Sequence, residues 1–442
     1  MKTKEDFLHA DIRKIIISNA IPAMGGIILL VVDSFFDGLL LSRLIGQQAL
    51  AGLTLASPLL IFQTALGSLV ASGASILISK AIGKGDTKTI QHVFFNLHLV
   101  AILLSIVAYV LYFIFGDYIL NLLSQDETEI HYAHAFYRTF CIGSPIIILA
   151  LSYGALMRSR GEFKKISLYI LLALVVNIIF SWLLIQVFGM AGCALGTLIS
   201  LVVYASLNLT QVNKKYNLNF SSGIHLETIR QIVSIGLSSF LFQLSSILRQ
   251  ALIIKFIQLQ FNNDVSVYGA LSRMLSLLVI PSQALIQSFQ PLYITNLGAE
   301  YKERCLKAIK ITTVYGLLLS AGLCLITGLF APEILSYFLN SSLLPPASLS
   351  AFYICLVLAL FYPVSALNYV VLQSSGHHHY AAFIASTREV ILLLPLLLLF
   401  RNITSVNTTY WAILAEVVLY TTIIYWVAHY KLNQQLNLKL DY

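Results

Sequence analysis

The chain has little charge. Lys, Arg, Asp and Glu make up 10% of its 442 residues, where a soluble domain carries about 25%. Between residues 166 and 213 there is not one of them. Those 48 residues hold two membrane spans of about 20 residues each, and no core helix of a soluble domain runs so far. Cysteine is scarce. The five, Cys141, Cys193, Cys305, Cys324 and Cys355, show no paired spacing, so disulfide roles are not expected. His-Glu-x-x-His, Gly-x-Ser-x-Gly and a nucleotide loop are all missing, which argues against an integral-membrane enzyme. A basic domain is missing too. The net charge of +8 is spread over short loops, so nucleic acid is not an expected partner. The first apolar segment is too long for a signal-peptide core and has no small-residue cleavage site, so no cleavable leader is expected.

What fills the chain is apolar: 58% of residues are hydrophobic. The pattern predicts twelve spans, at 15–41, 48–73, 92–115, 132–156, 167–187, 190–211, 232–256, 266–290, 309–332, 348–373, 381–400 and 409–430. Backbone polar groups in lipid must bond internally, so the spans read as helices. The sequence also repeats itself. Gly73 to Asp86 is echoed by Ser288 to Glu300, and Met157 to Phe163 by Leu372 to His378. Gly83 lies 78 residues before Gly161, and Gly298 lies 78 before Gly376. The expected fold class is an all-α integral membrane protein with twelve transmembrane helices in two parallel six-helix repeats. Its lobes are 1–211 and 232–442, joined by a cytoplasmic linker at 212–231. Such duplication is the mark of a secondary transporter.

Basic residues set the orientation. A cytoplasmic N-terminus puts Lys2, Lys4, Arg13, Lys14, Lys80, Lys84, Lys88, Arg158, Arg160, Lys164, Lys165, Lys214, Lys215, Lys302, Arg304, Lys307, Lys310, Lys431 and Lys439 on one side. The other side receives little beyond Arg43, Arg138, Arg401 and Lys255. Both termini are therefore expected in the cytoplasm, with the protein in a bacterial inner membrane. The linker carries Lys214, Lys215 and Ser221-Ser222-Gly223, and His225 to Ile235 reads as a short amphipathic helix. His377-His378-His379 reads as a solvated cytoplasmic turn, because consecutive histidines point in different directions.

These motifs resemble the MATE (multidrug and toxic compound extrusion) family. Pro22 and Asp37 match the spacing of its first span, where Pro22 is expected to act as a hinge, and Arg43 to Gly52 continues the pattern. Ser79 to Asp86, Arg158 to Gly161, Asn177 and Gly189 to Ala194 are similar to the family's later motifs in the first half. Gln290-Pro291, Asn296 to Ala299, and Arg388 with Pro395 are similar in the second. The resemblance implies a two-lobed exporter of small molecules working by alternating access. In one branch of the family the cation site uses four positions, which here are Asp37, Asn177, Ser181 and Thr197. Ser181 stands where that branch has a second carboxylate. Another branch has acidic residues in spans 7 and 10, and here those spans have none.

An ionisable side chain at bilayer depth costs at least about 2.5–3.5 kcal/mol, so each is a functional candidate. Asp33 and Asp37 are one helical turn apart on one face. Two carboxylates about 6 Å apart resist double ionisation and titrate as a pair, which suits a proton-coupled step. The bland alternative leaves Asp37 solvated at the outer mouth and Asp33 bonded to a neighbouring helix. In the second half, Arg249, Arg273, Arg388, Glu389 and Glu416 are candidates for substrate binding or, more plainly, for structural ion pairs. Three bases against two acids leave that lobe slightly basic. Gly25, Gly26, Gly67, Gly73 and Gly192 are expected to let helices approach closely. The reading is a proton-driven antiporter of small organic molecules, with sodium a weaker candidate for the coupling ion. It is expected to be a monomer in the bilayer, without cofactor or metal. The rivals are a flippase for a lipid-linked saccharide and an exporter of an anionic metabolite.

Overall fold

The computed structural model describes residues 4–216, 223–261, 265–339, 346–400 and 408–436. Lys2, Ser221, Ser222, Arg401 and Lys439 lie outside the described residues.

A short helix, α1 (Lys4–His9), comes first. The first half continues with α2 (Ile12–Leu44), α3 (Gln47–Lys84), α4 (Thr87–Leu123), α5 (Glu127–Ile142), α6 (Ser144–Ser159), α7 (Phe163–Phe188) and α8 (Met190–Tyr216). The second half has α9 (Leu226–Phe261), α10 (Val265–Gly298), α11 (Lys302–Leu329), α12 (Ala331–Leu339), α13 (Pro346–Ser374) and α14 (His378–Thr387). A π-helical turn over Arg388–Leu393 then leads into α15 (Leu394–Phe400), and α16 (Thr408–Leu436) follows. Among the described residues there is no strand. Among the described residues eleven helical stretches are long and apolar enough to cross a membrane, or twelve if α5 and α6, bent by 62°, form one span. The protein is an all-α, multi-pass membrane protein.

Three details depart from the sequence reading. The span expected as one helix over 132–156 breaks at Gly143. Pro145 lies in the first turn of α6 and has no N–H to give the Cys141 carbonyl. The Ser144 hydroxyl bonds that carbonyl instead. The amphipathic segment at His225–Ile235 is no separate helix, because α9 runs unbroken from Leu226. The span at 381–400 contains the π turn, which widens the helix by one residue per turn and shifts the side chains that follow. The turns themselves follow their local chemistry. Asp86 caps α4 by accepting from the Thr89 N–H at 3.1 Å, and bonding to Thr89 holds its carboxyl below the usual range.

By contacts the chain forms two compact units that interleave in sequence. The first comprises Met1–Ala10, Ile21–Gln243 and Ile294–Glu300. The second comprises Asp11–Ala20, Leu244–Tyr293 and Tyr301–Tyr442. The joint read at 212–231 therefore differs from the contact boundary, which falls within α9 after Gln243.

In the first unit, small residues let backbones touch, as membrane helices require in the absence of a hydrophobic drive. A Cβ on Gly73 would strike the Ile232 carbonyl, and one on Gly236 the Leu69 carbonyl. Gly83 and Gly298, the glycines aligned by the sequence repeat, belong to one seam: a Cβ on Gly83 would strike the Thr295 carbonyl, and one on Gly298 the Lys80 carbonyl. Gly25 is different and has nothing within 4 Å of a built Cβ. Helix α1 adds a clasp. Phe7 is buried against Gly161, and its carbonyl accepts from Asn296 Nδ2 at 3.0 Å. Beside it, Arg160 pairs with Glu162 at 2.6 Å, and Lys165 with Glu162 at 2.9 Å.

The second unit has its own apolar core around Ile253, Leu271, Phe352 and Ile413. Buried hydroxyls pair within it: Ser282 with Ser320 at 2.9 Å, and Tyr293 with Ser375 at 2.7 Å. The Ser288 hydroxyl donates to the Ile16 carbonyl at 2.8 Å. All five cysteines are free and buried.

Candidate functional site

Helices α2 and α7 lie side by side in the first unit, and three sequence features set their approach. Pro22 sits inside α2, and its carbonyl accepts a hydrogen bond from the Ser167 hydroxyl of α7. One turn on, Gly26 leaves room, since a Cβ there would lie 3.2 Å from Ile170 Cδ1. Further along the same seam, α2 presents Asp33 and Asp37, and α7 presents Asn177. The Asn177 amide donates to Asp33 Oδ1 at 2.8 Å and to Asp37 Oδ1 at 3.1 Å. One side chain thus spans both carboxylates.

The two carboxylates, which only accept, draw the nitrogen of that amide toward them. The Ser181 hydroxyl donates to Asn177 Oδ1 at 2.8 Å and satisfies its other end. The reverse orientation would aim a carbonyl at acceptor oxygens. Asn177 and Ser181 are buried, at 1% and 0% exposure, while Asp33 and Asp37 are half-buried. Helix α8 closes behind them. Gly192 and Gly196 let its backbone reach α7, and a Cβ on Gly196 would strike Ser181. Thr197 stands apart. Its hydroxyl bonds the Cys193 carbonyl of its own helix at 3.2 Å and neither carboxylate. The structure thus brings together four of the five candidates for coupling.

The candidates of the second unit form a cluster of two arginines and two glutamates. Arg249 Nη1 meets Glu416 Oε2 at 2.7 Å and Glu389 Oε2 at 3.3 Å. Arg388 Nε meets Glu416 Oε1 and lies 3.8 Å from Glu389 Oε1. The Ser245 hydroxyl donates to Glu389 at 3.4 Å, and the Arg388 guanidinium lies 3.9 Å over the Tyr420 ring. The π turn begins at Arg388, so two consecutive residues of opposite charge enter one cluster. Arg273 does not join it. It is exposed on α10, and no ion pair ties it to another described residue. Of the five candidates Arg273 is the one left over, and the cluster of the other four is neutral. Sequence periodicity could not pair Arg249 with Glu389, which lies 140 residues away.

His378 and His379 lie in the first turn of α14 and not in a loop, with ring centroids 4.2 Å apart. Partial burial, and after it the charge of Lys431, push the His377 imidazole below its ordinary pKa. Among the described residues no group of three His, Cys, Asp or Glu side chains could hold a metal ion.

A family model, MatE, matches residues 22–183 and 235–399. The chain belongs to the MatE family, whose members are membrane transporters of small molecules. It is similar to the FAD transporter of Shewanella oneidensis, 25% identical over 348 residues, which are 76% of this chain and 77% of that protein. It is also similar to the probable multidrug resistance protein YoeA of Bacillus subtilis, 23% identical over 311 residues, 67% of each chain. Its fold matches the crystal structure of a MATE protein in complex with MaL6, with a TM-score of 0.89 at 19% identity, over 98% of this chain and 99% of that one. These relatives and neighbours are transporters and not enzymes.

Proposed function

We propose that the protein exports small organic molecules by alternating access, as an antiporter driven by protons, with Asp37 the main proton carrier. The observation that carries this reading is the amide of Asn177 shared between Asp33 and Asp37. Two charged carboxylates around one donor repel each other, and a single proton relieves that repulsion. Sodium is served less well, because a hard cation needs several oxygen ligands at once. Here Asn177 turns N–H and not C=O toward the acids, Thr197 bonds its own helix, and Ser181 stands in place of a carboxylate. The relative named for FAD and the one named for multidrug resistance suggest two trial cargoes, FAD and ethidium. In proteoliposomes, transport of an accepted cargo is expected to follow a pH gradient and to ignore a sodium gradient at fixed pH. Transport that follows sodium and ignores pH would overturn the reading.

The protein is read as a monomer of a bacterial inner membrane with both termini in the cytoplasm, supported by the asymmetry of its basic loops. A single cysteine at position 378 on a cysteine-free background is expected to resist an impermeant thiol reagent in intact cells and to react in inverted vesicles. Labelling in intact cells would reverse the orientation.

A further inference from the structure

The neutral cluster of the second unit has a direction. Its two glutamate side chains are 3% and 0% exposed, whereas those of Arg249 and Arg388 are 20% and 15% exposed. The negative ends are behind and the positive ends in front. Arg388 meets the glutamates through Nε, and its guanidinium is stacked over the Tyr420 ring. Arg249 has no such stack among the described residues. It meets both glutamates through Nη1 alone, and its Nε and Nη2 bond no described residue. A guanidinium presents five N–H donors in a planar fork, so most of this one remains open.

The open edge of the guanidinium does not suit lipid. Arg249 lies seven residues before the end of the span read at 232–256, about 10 Å along the helix. Among the eleven candidate spans of the described residues, α9 has the smallest buried share of its apolar stretch, and around Arg249 it exposes Ser246 and Gln250 together with Phe242 and Leu248. A bare guanidinium edge at that depth faces water or a ligand and not acyl chains.

We infer that Arg249 docks a phosphate group of the cargo, so that the exported molecule is a phosphorylated organic anion. The chemistry is that of a planar fork on a tetrahedral oxyanion, two parallel N–H···O bonds that a point-charge ammonium cannot make. Glu389 and Glu416 hold the side chain from behind through Nη1 and leave the other edge of the fork to the ligand. This rests on the reading of the protein as a small-molecule exporter but not on the identity of its coupling ion.

The test is binding to the purified full-length protein in detergent, with matched probes that differ in phosphate alone: riboflavin 5′-phosphate against riboflavin, and ADP against adenosine. At least one phosphorylated probe is expected to bind about tenfold or more tightly than its neutral match, and R249K to lose that advantage while keeping the parent's thermal midpoint. Lysine retains the charge for both glutamates, so the fold is not at stake. R273Q is expected to leave the preference intact. Equal binding of charged and neutral probes, no binding of either phosphorylated probe, an undiminished preference in R249K, or its loss in R273Q instead would each overturn the inference. Transport driven by a pH gradient that survives such a result leaves the coupling proposal standing. Its loss with phosphate preference intact removes the coupling proposal alone.

Discussion

Replacing Asp37 by Asn is expected to abolish uphill transport driven by a pH gradient while leaving the protein folded. The substitution is nearly isosteric, and its amide oxygen still accepts from Asn177 Nδ2, which lies 3.1 Å from Asp37 Oδ1 in the parent. What disappears is the titratable proton. One pH unit is worth about 1.4 kcal/mol per proton, or tenfold in concentration, so a gradient of two units supports at most about a hundredfold accumulation at one proton per cargo. D37N should accumulate nothing beyond equilibrium, yet still exchange cargo across the membrane in counterflow without a gradient. Asp33→Asn should do less damage, because Asp37 keeps its proton site and its share of the Asn177 amide. Uphill transport by D37N at the parent's rate would remove Asp37 from the coupling step. Loss of counterflow as well would place it in cargo binding.

The ordering of these two effects depends on Asn177 being held as described. Ser181 is the residue through which this chain departs from the branch of the family with a second carboxylate on α7. In that branch the extra charge would sit one turn beyond the Asn. Here the carboxylates bonded to Asn177 are Asp33 and Asp37, both on α2, and the hydroxyl at 181 bonds the other end of the amide. On the proposed reading the acidic count of the site is kept while its geometry changes from one acid on each helix to two on one.

How much of this could be read in the sequence follows from the kind of signal each feature leaves. Spans are compositional, and a stretch such as 166–213 without a charged residue admits few other readings. The break at Gly143 was legible in principle, because Gly143-Ser144-Pro145 combines a flexible residue, a hydroxyl and a missing N–H. The π turn at Arg388–Leu393 left no such mark, since neither Gly nor Pro lies within it. In the first unit, Asp33 and Asp37 shared a face by helical spacing alone. Their meeting with Asn177 was suggested by resemblance, but the role of Ser181 depends on a hydroxyl rotor that only packing against α8 decides. The partner of Thr197, the Cys193 carbonyl of its own helix, was likewise not fixed by the pattern. In the second unit the charges were visible but their partners were not. Ion pairs between α9, the π turn and α16 depend on the rotation of each helix about its axis, and a hydrophobic pattern does not fix that in a span apolar on most sides.

That pairing makes Glu416 the residue whose loss should cost the second unit most. Its side chain is 0% exposed and receives Arg249 at 2.7 Å as well as Arg388. Glu416→Gln would leave two arginines facing one carboxylate, Glu389, at 3.3 and 3.8 Å. Removing one partner from a buried ion pair costs about 3–5 kcal/mol, mostly because the remaining charge is left without compensation. E416Q should therefore show a clearly lowered thermal midpoint in detergent and poor recovery from the membrane. Glu389→Gln should be milder, since its contacts are longer. The double variant Arg388→Met with Glu416→Met separates charge from packing: it removes one base and one acid together and leaves Arg249 with Glu389. Methionine at 388 can still cover the Tyr420 ring on which Arg388 lies. An apolar pair of similar volume is often neutral relative to a buried ion pair, so the double variant should recover more than half of the loss seen in E416Q. A midpoint for E416Q equal to the parent's would mean that these charges do not hold the unit together. A double variant as unstable as E416Q would mean that the network acts as a whole, with Arg249 unable to rest on Glu389 alone.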